Sequence, residues 1–462
     1  MTDERKSIPG VATAQEFAAS AIPSSRWTRT FGLSRLLHSR FRRDLAGTFV
    51  AQAGILGLGA VTGVLAARML GPQGRGELTA LSIWPMTLIF LCSMGLDAAL
   101  VFHVGKQQFK LTEVWTAGVV LGALQTVAVV LVGLVVLPLA LRGYSAGVRH
   151  LSFVFLAFAP VFMVGGQSLA IFRGQVKMTA YNTVRTIAPA VYAAGLVTLF
   201  LLRWHSLSAV VGCQLAGVAL LVAVGYTLLC RWDTLRFVWN TGALKGLVSF
   251  GWKTQLSNVT AFVNQRIDQL LLSLFIPPHD LGLYVVAVTV TSGMGIFPAA
   301  AGTVTFASGA SMKPQDAARI ISRSLQASLL WLGAGAIVLF AVVPWAIPWV
   351  FGRPFAGSVL ACRVLLPGTV ALGLNQVLYD GARALNQPAL PSYSEGSSLI
   401  ITAGCLYLLV PRIGFLGAAI ASTLAYTVSF IVTLALFKSR AGIGPRQLLG
   451  LARTPESRGL SG

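Results

Sequence analysis

Long apolar segments are the feature that most constrains how this chain folds. A helix that crosses a lipid bilayer needs about 20 consecutive apolar residues. The 462-residue sequence contains many runs of that length, separated by charged or Gly/Pro-rich breaks. These runs predict an all-α polytopic membrane protein with 12 transmembrane helices, near residues 46–68, 79–102, 114–141, 151–172, 179–202, 207–230, 247–275, 281–307, 325–351, 359–382, 395–410 and 414–437.

The composition agrees with a membrane protein and excludes several other classes. Only 11% of the residues are charged, against about 25% in soluble globular proteins. A soluble enzyme and a secreted disulfide scaffold are therefore excluded. The five cysteines all fall in or at the ends of apolar segments and form no CxxC pair, so we interpret them as apolar helix residues. No Walker A motif is present, so the chain is not predicted to hydrolyse ATP.

The positive charge of the chain predicts its orientation. The formal net charge is +21, from 35 basic and 14 acidic residues. With the N-terminus placed in the cytoplasm, cytoplasmic segments carry three times as many basic residues as external ones. This bias predicts that both termini are cytoplasmic, and it explains most of the charge without nucleic acid, for which no motif is present. The basic stretch 26–43 either lies on the membrane surface as a helix or only retains the N-terminus inside.

The predicted spans divide into two sets of six. We expect cytoplasmic basic tails at 1–45 and 438–462, and six-helix bundles at 46–230 and 247–437 joined by a cytoplasmic linker at 231–246. A weak repeat supports the division, because the turn from Pro72 to Gly76 matches that from Pro278 to Gly282, and Arg173-Gly174 matches Arg383-Ala384. Six spans per repeat predict a pseudo-two-fold axis along the membrane normal.

Several motifs resemble one family of membrane exporters. They are the turn Ala67-Arg68-Met69-Leu70-Gly71-Pro72-Gln73-Gly74-Arg75-Gly76, the element Arg266-Ile267-Asp268 followed by Gly282-Leu283-Tyr284, the stretch Phe351-Gly352-Arg353-Pro354-Phe355, and Leu408-Leu409-Val410-Pro411-Arg412-Ile413-Gly414-Phe415-Leu416-Gly417-Ala418-Ala419. Together they resemble the polysaccharide transporter, or O-antigen flippase, family of the multidrug/oligosaccharidyl-lipid/polysaccharide (MOP) exporter superfamily. The resemblance covers roughly 44–437. Glu77 departs from the family, which more often has an aromatic residue near this position.

The resemblance implies a transporter and not an enzyme, with no cofactor. It implies two six-helix bundles around a central cavity. The implied activity is flipping of an undecaprenyl-pyrophosphate-linked oligosaccharide across the bacterial inner membrane by alternating access, for lipopolysaccharide or exopolysaccharide biosynthesis. The partners implied are this lipid-linked oligosaccharide, membrane lipids, and a polysaccharide polymerase or other assembly machinery.

Ionisable residues inside predicted spans are the candidate site, since such residues are rare and usually functional. We predict that Arg185, Lys253, Asn264 and Arg266 bind substrate, the cations through its phosphates, and that Asp268 binds a coupling proton or cation. At about 100° per residue, a polar stripe forms on span 7, with Arg266 on another face; its members are Lys253, Ser257, Asn264 and Asp268. The alternative is that the three cations lie near span ends and reach the interface.

Other singled-out residues have structural interpretations. Gly71, Pro72, Gly76 and Gly282 are predicted to form turns between spans. Asp97 and Asp380 are interpreted as helix caps or as partners of loop arginines. No metal site is predicted, because no Cys/His pattern with ligand spacing occurs.

Three other functions compete with the flippase. A multidrug/cation antiporter of the same superfamily would favour acidic residues in its cavity, and intramembrane acids are scarce here. A lipid-linked peptidoglycan-precursor flippase usually has two additional spans. A membrane glycosyltransferase or polymerase usually needs a large external loop with paired carboxylates. The external loops predicted here are short, and their acidic residues, Glu77 and Asp280, belong to different loops.

Overall fold

The structure is built from α-helices. A computed structural model describes residues 33–309, 312, 314–387, 389–441, 444 and 448, with side chains from residue 46 onward except at 256, 257, 260, 261, 264, 304, 307–309, 314 and 441. The first seven helices, which we call the N-terminal half, are α1 (Leu33–Cys92), α2 (Leu96–Lys106), α3 (Leu111–Ala140), α4 (Ala146–Ala157), α5 (Ala159–Gly174), α6 (Met178–Leu201) and α7 (Leu207–Trp232).

The C-terminal half follows after a connection at 233–240. It comprises α8 (Thr241–Phe275), α9 (Pro278–Ser292), α10 (Ile296–Gly309), α11 (Pro314–Val350), α12 (Ser358–Ala384) and α13 (Leu390–Ala441), with short 3-10 helices at Gly293–Gly295 and Arg353–Phe355. The predicted tails at 1–45 and 438–462 fall mainly outside the described residues.

Two of the helices are kinked at glycines. Helix α1 breaks at Gly71 (φ 65°, ψ −177°), a backbone conformation that side chains with a Cβ rarely adopt, and Pro72 begins the next stretch. Helix α13 breaks at Ile413 and Gly414, where Gly414 has φ 60°. Each long element therefore contains two helical stretches that meet at an angle.

Helices that are long and apolar enough to cross a membrane occur in both halves of the chain. By length and apolarity, 8 of the described helices can cross a membrane, or 9 if the bent pair α4 and α5 counts as one span. The twelve spans predicted from the sequence require α1 and α13 to be divided at their kinks, and the exact number stays a prediction. Large apolar side chains lie exposed along these helices, as lipid contact requires; they include Leu139 on α3 and Trp345 and Trp349 on α11.

The turns that match in sequence also match in backbone geometry. Val176 (φ 56°) follows α5 and Asn386 (φ 58°) follows α12, and both have a left-handed conformation. The amides of Val176 and Asn386 each bond the carbonyl three residues earlier, on Arg173 and Arg383. The repeat is thus present in these turns, while the pseudo-two-fold relation of whole bundles stays a prediction.

The two halves share their largest apolar core at one end of the molecule. That cluster combines Leu81 and Phe155 of the N-terminal half with Tyr284 and Phe355 of the C-terminal half. We call this the Gly76 end, after the turn that lies there. A second cluster, at the opposite end, joins α2, α3 and α5–α7 to the start of α8. A third lies mainly within α11–α13. A space between the halves remains between these clusters.

Candidate functional site

The space between the halves is a cavity of about 920 Å³. Helices α1, α2, α5, α6 and α7 line one side, and α8, α9, α12 and α13 line the other. Hydroxyl and amide side chains are frequent on its walls, among them Thr79, Ser82, Gln214, Gln265 and Thr289. Such walls can solvate a polar molecule inside an otherwise apolar membrane protein.

Arg75 contributes a positive charge to the cavity wall. It follows the Gly71 break, and the new direction of α1 brings its side chain to the cavity beside Tyr192 of α6. Its Nε is buried and has no hydrogen-bond acceptor among the described residues. A buried donor without an acceptor is unfavourable, so Arg75 is suited to receive an anion from the cavity.

Arg266 contributes a second positive charge from the opposite half. It lies on α8 with Gln265 and Gln269, and all three line the cavity. Phe262, one turn earlier, stacks on Phe90 of α1 with ring centroids 3.9 Å apart. Arg266 thus lines the cavity, and its role in binding substrate stays a prediction.

Asp97 is the acidic residue lining the cavity within the described part of the chain. It lies in the first turn of α2, where the helix dipole favours a negative charge. The chain breaks between α1 and α2, and side-chain amides from other helices donate to two backbone carbonyls at the break. Gln125 Nε2 donates to Ser93 O (2.9 Å), and Gln255 Nε2 donates to Phe90 O (2.7 Å).

Three predicted substrate ligands are not among the described lining residues. Arg185 is half-buried between α6 and α1, and its guanidinium donates to Gln52 Oε1 (3.0 Å) and Tyr181 OH (3.3 Å). Lys253 is exposed on α8. Asn264 lies in α8, but its side chain is outside the described part of the structure.

Asp268 is buried away from the cavity. Tyr284 OH of α9 donates to its Oδ2 at 2.5 Å, and the same hydroxyl lies 3.2 Å from Ser422 Oγ of α13. Three helices of the C-terminal half therefore meet at this carboxylate. Lys253 and Asp268 do not share a cavity wall, because Asp268 points into the helix packing. Asp380, by contrast, pairs with Arg383 at 2.9 Å.

The cavity is closed at the Gly76 end by backbone packing between the halves. A Cβ on Gly76 would collide with the Pro278 carbonyl, and one on Gly282 would collide with the Pro72 carbonyl. Trp84 Nε1 also donates to Ser273 Oγ (3.0 Å) across the halves. All four predicted turn residues lie at this end, Gly71 at the kink and the other three in this contact.

The opposite end of the molecule, which we call the Gly95 end, is closed on one side only. There Gly95 packs against Gly251, and Phe102 stacks on Phe250 at 4.2 Å. In contrast, the beginning of α1 contacts α6, where Asn182 Nδ2 donates to Thr48 Oγ1 (2.9 Å), but it is open at its glycines. A Cβ on Gly47, Gly54, Gly57 or Gly59 would meet no described atom within 4 Å.

A metal ion has no evident site in the described residues. No group of three or more His, Cys, Asp or Glu side chains is close enough there to hold one. The chemistry of the cavity is that of two guanidinium groups, one carboxylate, and neutral hydroxyls, amides and aromatic rings.

Sequence reasoning does not identify Arg75, because it lies between Gly71-Pro72 and Gly76, where a turn between spans is predicted. The available signal was its position just after a Gly-Pro break that begins a long apolar run. Tyr192 and Gln214 were also missed, since single polar residues in apolar helices do not stand out.

Comparisons with known proteins agree with this architecture. A family model described as "Polysaccharide biosynthesis protein" matches residues 41–306. A Shigella flexneri relative whose name describes O-antigen transport is 25% identical over 60% of this chain and 68% of its own length. A Haloferax volcanii relative whose name describes a flippase of low-salt glycan biosynthesis is 20% identical, over 66% of this chain and 64% of its own.

Solved structures show the same fold at low sequence identity. A structure of the lipid II flippase MurJ in an inward closed conformation has a TM-score of 0.73 at 13% identity, covering 87% of this chain and 89% of its own. An inward-facing multidrug transporter of the MATE family, in the MOP superfamily, has a TM-score of 0.72 at 14% identity, covering 84% and 94%. The chain thus has the fold of MOP-superfamily transporters.

Proposed function

The chain belongs to the polysaccharide biosynthesis protein family, and from that premise we propose that it flips a polyprenyl-pyrophosphate-linked oligosaccharide across the bacterial inner membrane by alternating access. The names of its relatives describe O-antigen transport and glycan-biosynthesis flipping. We propose that this transport serves surface polysaccharide biosynthesis.

The observation that carries the proposal is the pair of cations in the cavity. Arg75 and Arg266 approach it from opposite halves, and neither is part of a salt bridge described in the structure. An anion between two guanidinium groups interacts strongly where water is scarce. A pyrophosphate fits this environment, while the hydroxyls and amides on the walls suit the hydroxyls of a glycan.

The polyprenyl tail has a separate path. The beginning of α1 has no close neighbour at its glycines, and Phe49 and Val50 there are exposed. A lipid tail can stay in the bilayer beside this stretch while the polar part occupies the cavity. This arrangement avoids moving an apolar chain through a polar space.

The cavity charge disfavours the cation antiporter. A small organic cation would meet two arginines and one carboxylate among the described lining residues.

We further propose that both termini are cytoplasmic and that the Gly76 end lies at the outer face, following the distribution of basic residues. Polysaccharide polymerases remain proposed partners.

Asp268 is proposed to bind the coupling proton or cation. Its carboxylate joins α8, α9 and α13 through Tyr284 and Ser422, so a change in its charge would alter packing within the C-terminal half. Asp268→Asn should abolish coupled transport while substrate still binds, measured by retention of lipid-linked glycan on the purified variant. Full export by this variant would contradict the role.

The main experiment compares cations inside and outside the cavity. In a strain lacking the native gene, we expect the double variant Arg75→Gln/Arg266→Gln to lose surface glycan and to accumulate lipid-linked glycan in the inner leaflet. Arg185→Gln/Lys253→Gln removes the same charge outside the described cavity wall and should retain export. Immunoblots establish equal protein levels. Full export by the first pair would contradict the proposal.

A further inference from the structure

The contact that closes the Gly76 end is reciprocal. Gly76 of α1 packs on the backbone of Pro278 and Gly282, and Gly282 of α9 packs on the backbone of Pro72 and Gly76. Corresponding residues of the two halves thus contact each other, as in a two-fold symmetric dimer interface. The approach is possible only because neither glycine has a Cβ.

Arg68 adds a polar connection between the same halves. Its Nε donates to Val350 O at 2.6 Å, and its Nη2 donates to Trp349 O. These are the last carbonyls of α11, which have no partner within the helix and carry the negative end of its dipole. One N-terminal-half side chain therefore binds a helix end of the C-terminal half.

The position of this connection gives it a consequence for transport. Arg75 and Thr79 line the cavity directly behind Gly76, so the glycine contact separates the cavity from the solvent at this end. For a substrate to leave here, Gly76 and Gly282 must part, and Arg68 must release α11. Arg68 is exposed, so water can accept its hydrogen bonds when the arginine releases the carbonyls of α11.

We propose that the Gly76–Gly282 contact is a gate and that Arg68 is the latch that holds it closed. The inference deepens the proposed function by naming the residues that control release, and it rests on that function only for the identity of what is released. The glycine contact supplies close packing with no side chain to displace. The arginine supplies directional hydrogen bonds that must break before the halves separate.

Arg363 offers a matched control for the latch. It too donates Nε to a carbonyl of α11, that of Phe340, at 3.2 Å. However, Arg363 lies on α12, so this bond connects two helices of the same half. Loss of Arg363 removes a similar charge and hydrogen bond without touching the contact between the halves.

The test measures access to the cavity and involves no substrate. A Thr79→Cys reporter is placed in a chain whose native cysteines are replaced, and intact cells receive a membrane-impermeant maleimide. Gln73→Cys, which is exposed at the same end, shows that the reagent reaches this face; if it is not labelled, inside-out vesicles are used instead. We expect Arg68→Gln to raise the labelling rate of the Thr79→Cys reporter about tenfold, and Arg363→Gln to leave it unchanged.

A second pair of variants tests the glycine contact. Gly76→Ala should also raise labelling of the reporter, because its methyl group collides with the Pro278 backbone. Gly54→Ala, in the same helix but with open space around it and outside the described cavity lining, should not. Unchanged labelling in both Arg68→Gln and Gly76→Ala, or an equal rise in Arg363→Gln, would overturn the gate. Faster labelling in Arg68→Gln, together with full export by Arg75→Gln/Arg266→Gln, would leave the gate intact and contradict the proposed function.

Discussion

Arg75 and Arg266 differ in how far the sequence alone could identify them. Arg266 lies within a predicted span, so the cost of a charge in the membrane makes it a candidate functional residue. Arg75 also lines the cavity, but it stands four residues after Gly71, where a turn is the natural interpretation. Only the direction that the helix takes after the break decides where its side chain points. Sequence patterns do not encode that direction.

Val176 is a residue whose backbone conformation conflicts with its side chain. Its φ is 56°, and a β-branched residue is rare in this region because its Cβ approaches the carbonyl oxygen. Asn386, its counterpart in the second half, is a residue type that tolerates the conformation. We expect Val176→Asn to stabilise the protein by about 1 kcal/mol, seen as a raised Tm in detergent.

Val176→Ala is the control for this prediction. Val176 is 66% exposed, so its replacement also removes an apolar surface. Alanine removes most of that surface but retains the Cβ strain. Equal stabilisation by alanine and asparagine would show that exposure, not backbone conformation, is the cause.

Prolines within helices are accommodated by side chains from neighbouring helices. Pro85 has no amide hydrogen, so Leu81 O loses its normal partner, and Ser152 Oγ of α4 donates to it at 3.0 Å. Phe340 O is freed in the same way by Pro344, and Arg363 occupies it. Sequence predicts the bends at these prolines. The residue that compensates each one depends on tertiary packing.

Removal of the Ser152 hydroxyl should destabilise the N-terminal half. Ser152 is fully buried, and Ser152→Ala leaves the Leu81 carbonyl without a donor, at a cost of about 1–3 kcal/mol. In a Pro85→Ala background the amide of residue 85 restores the bond, so the same substitution should cost much less. A double-mutant cycle on unfolding free energies in detergent measures the difference. Equal costs in both backgrounds would contradict this account.

The apolar segments predicted the helices well, but they did not predict the breaks inside them. Predicted span 2 continues through Ser93-Met94-Gly95, where the structure separates α1 from α2. The amides of Gln125 and Gln255 stabilise that break from two other helices. Because the stabilising groups are distant in sequence, hydropathy alone could not locate it.

The orientation of the whole molecule is open to a direct test. The distribution of basic residues predicts that the loop before α4 is external and that the α7–α8 connection is cytoplasmic. In intact cells, an impermeant thiol reagent should label Ser145→Cys and not Thr234→Cys; both positions are exposed. Permeabilised cells should label both. The reverse pattern in intact cells would invert the topology and the direction of transport.

The internal repeat was visible in the sequence only as short matches. Those at Gly76 and Gly282 proved to be in contact, and those after α5 and α12 have the same turn geometry. Turns preserve such matches because few residues fit a positive φ or a close backbone approach. The remaining helix surfaces face lipid or other helices, and their sequences carry little trace of the repeat.

The reciprocal glycine contact has an evolutionary consequence. If the two halves descend from one ancestral segment that paired with itself, a single mutation at the ancestral glycine would have altered both sides of the contact together. After fusion into one chain, each glycine mutates alone, yet each still collides with the backbone of the other half. Divergence of the two halves is therefore restrained at this glycine contact. We expect the sequence match between the halves to persist longest there.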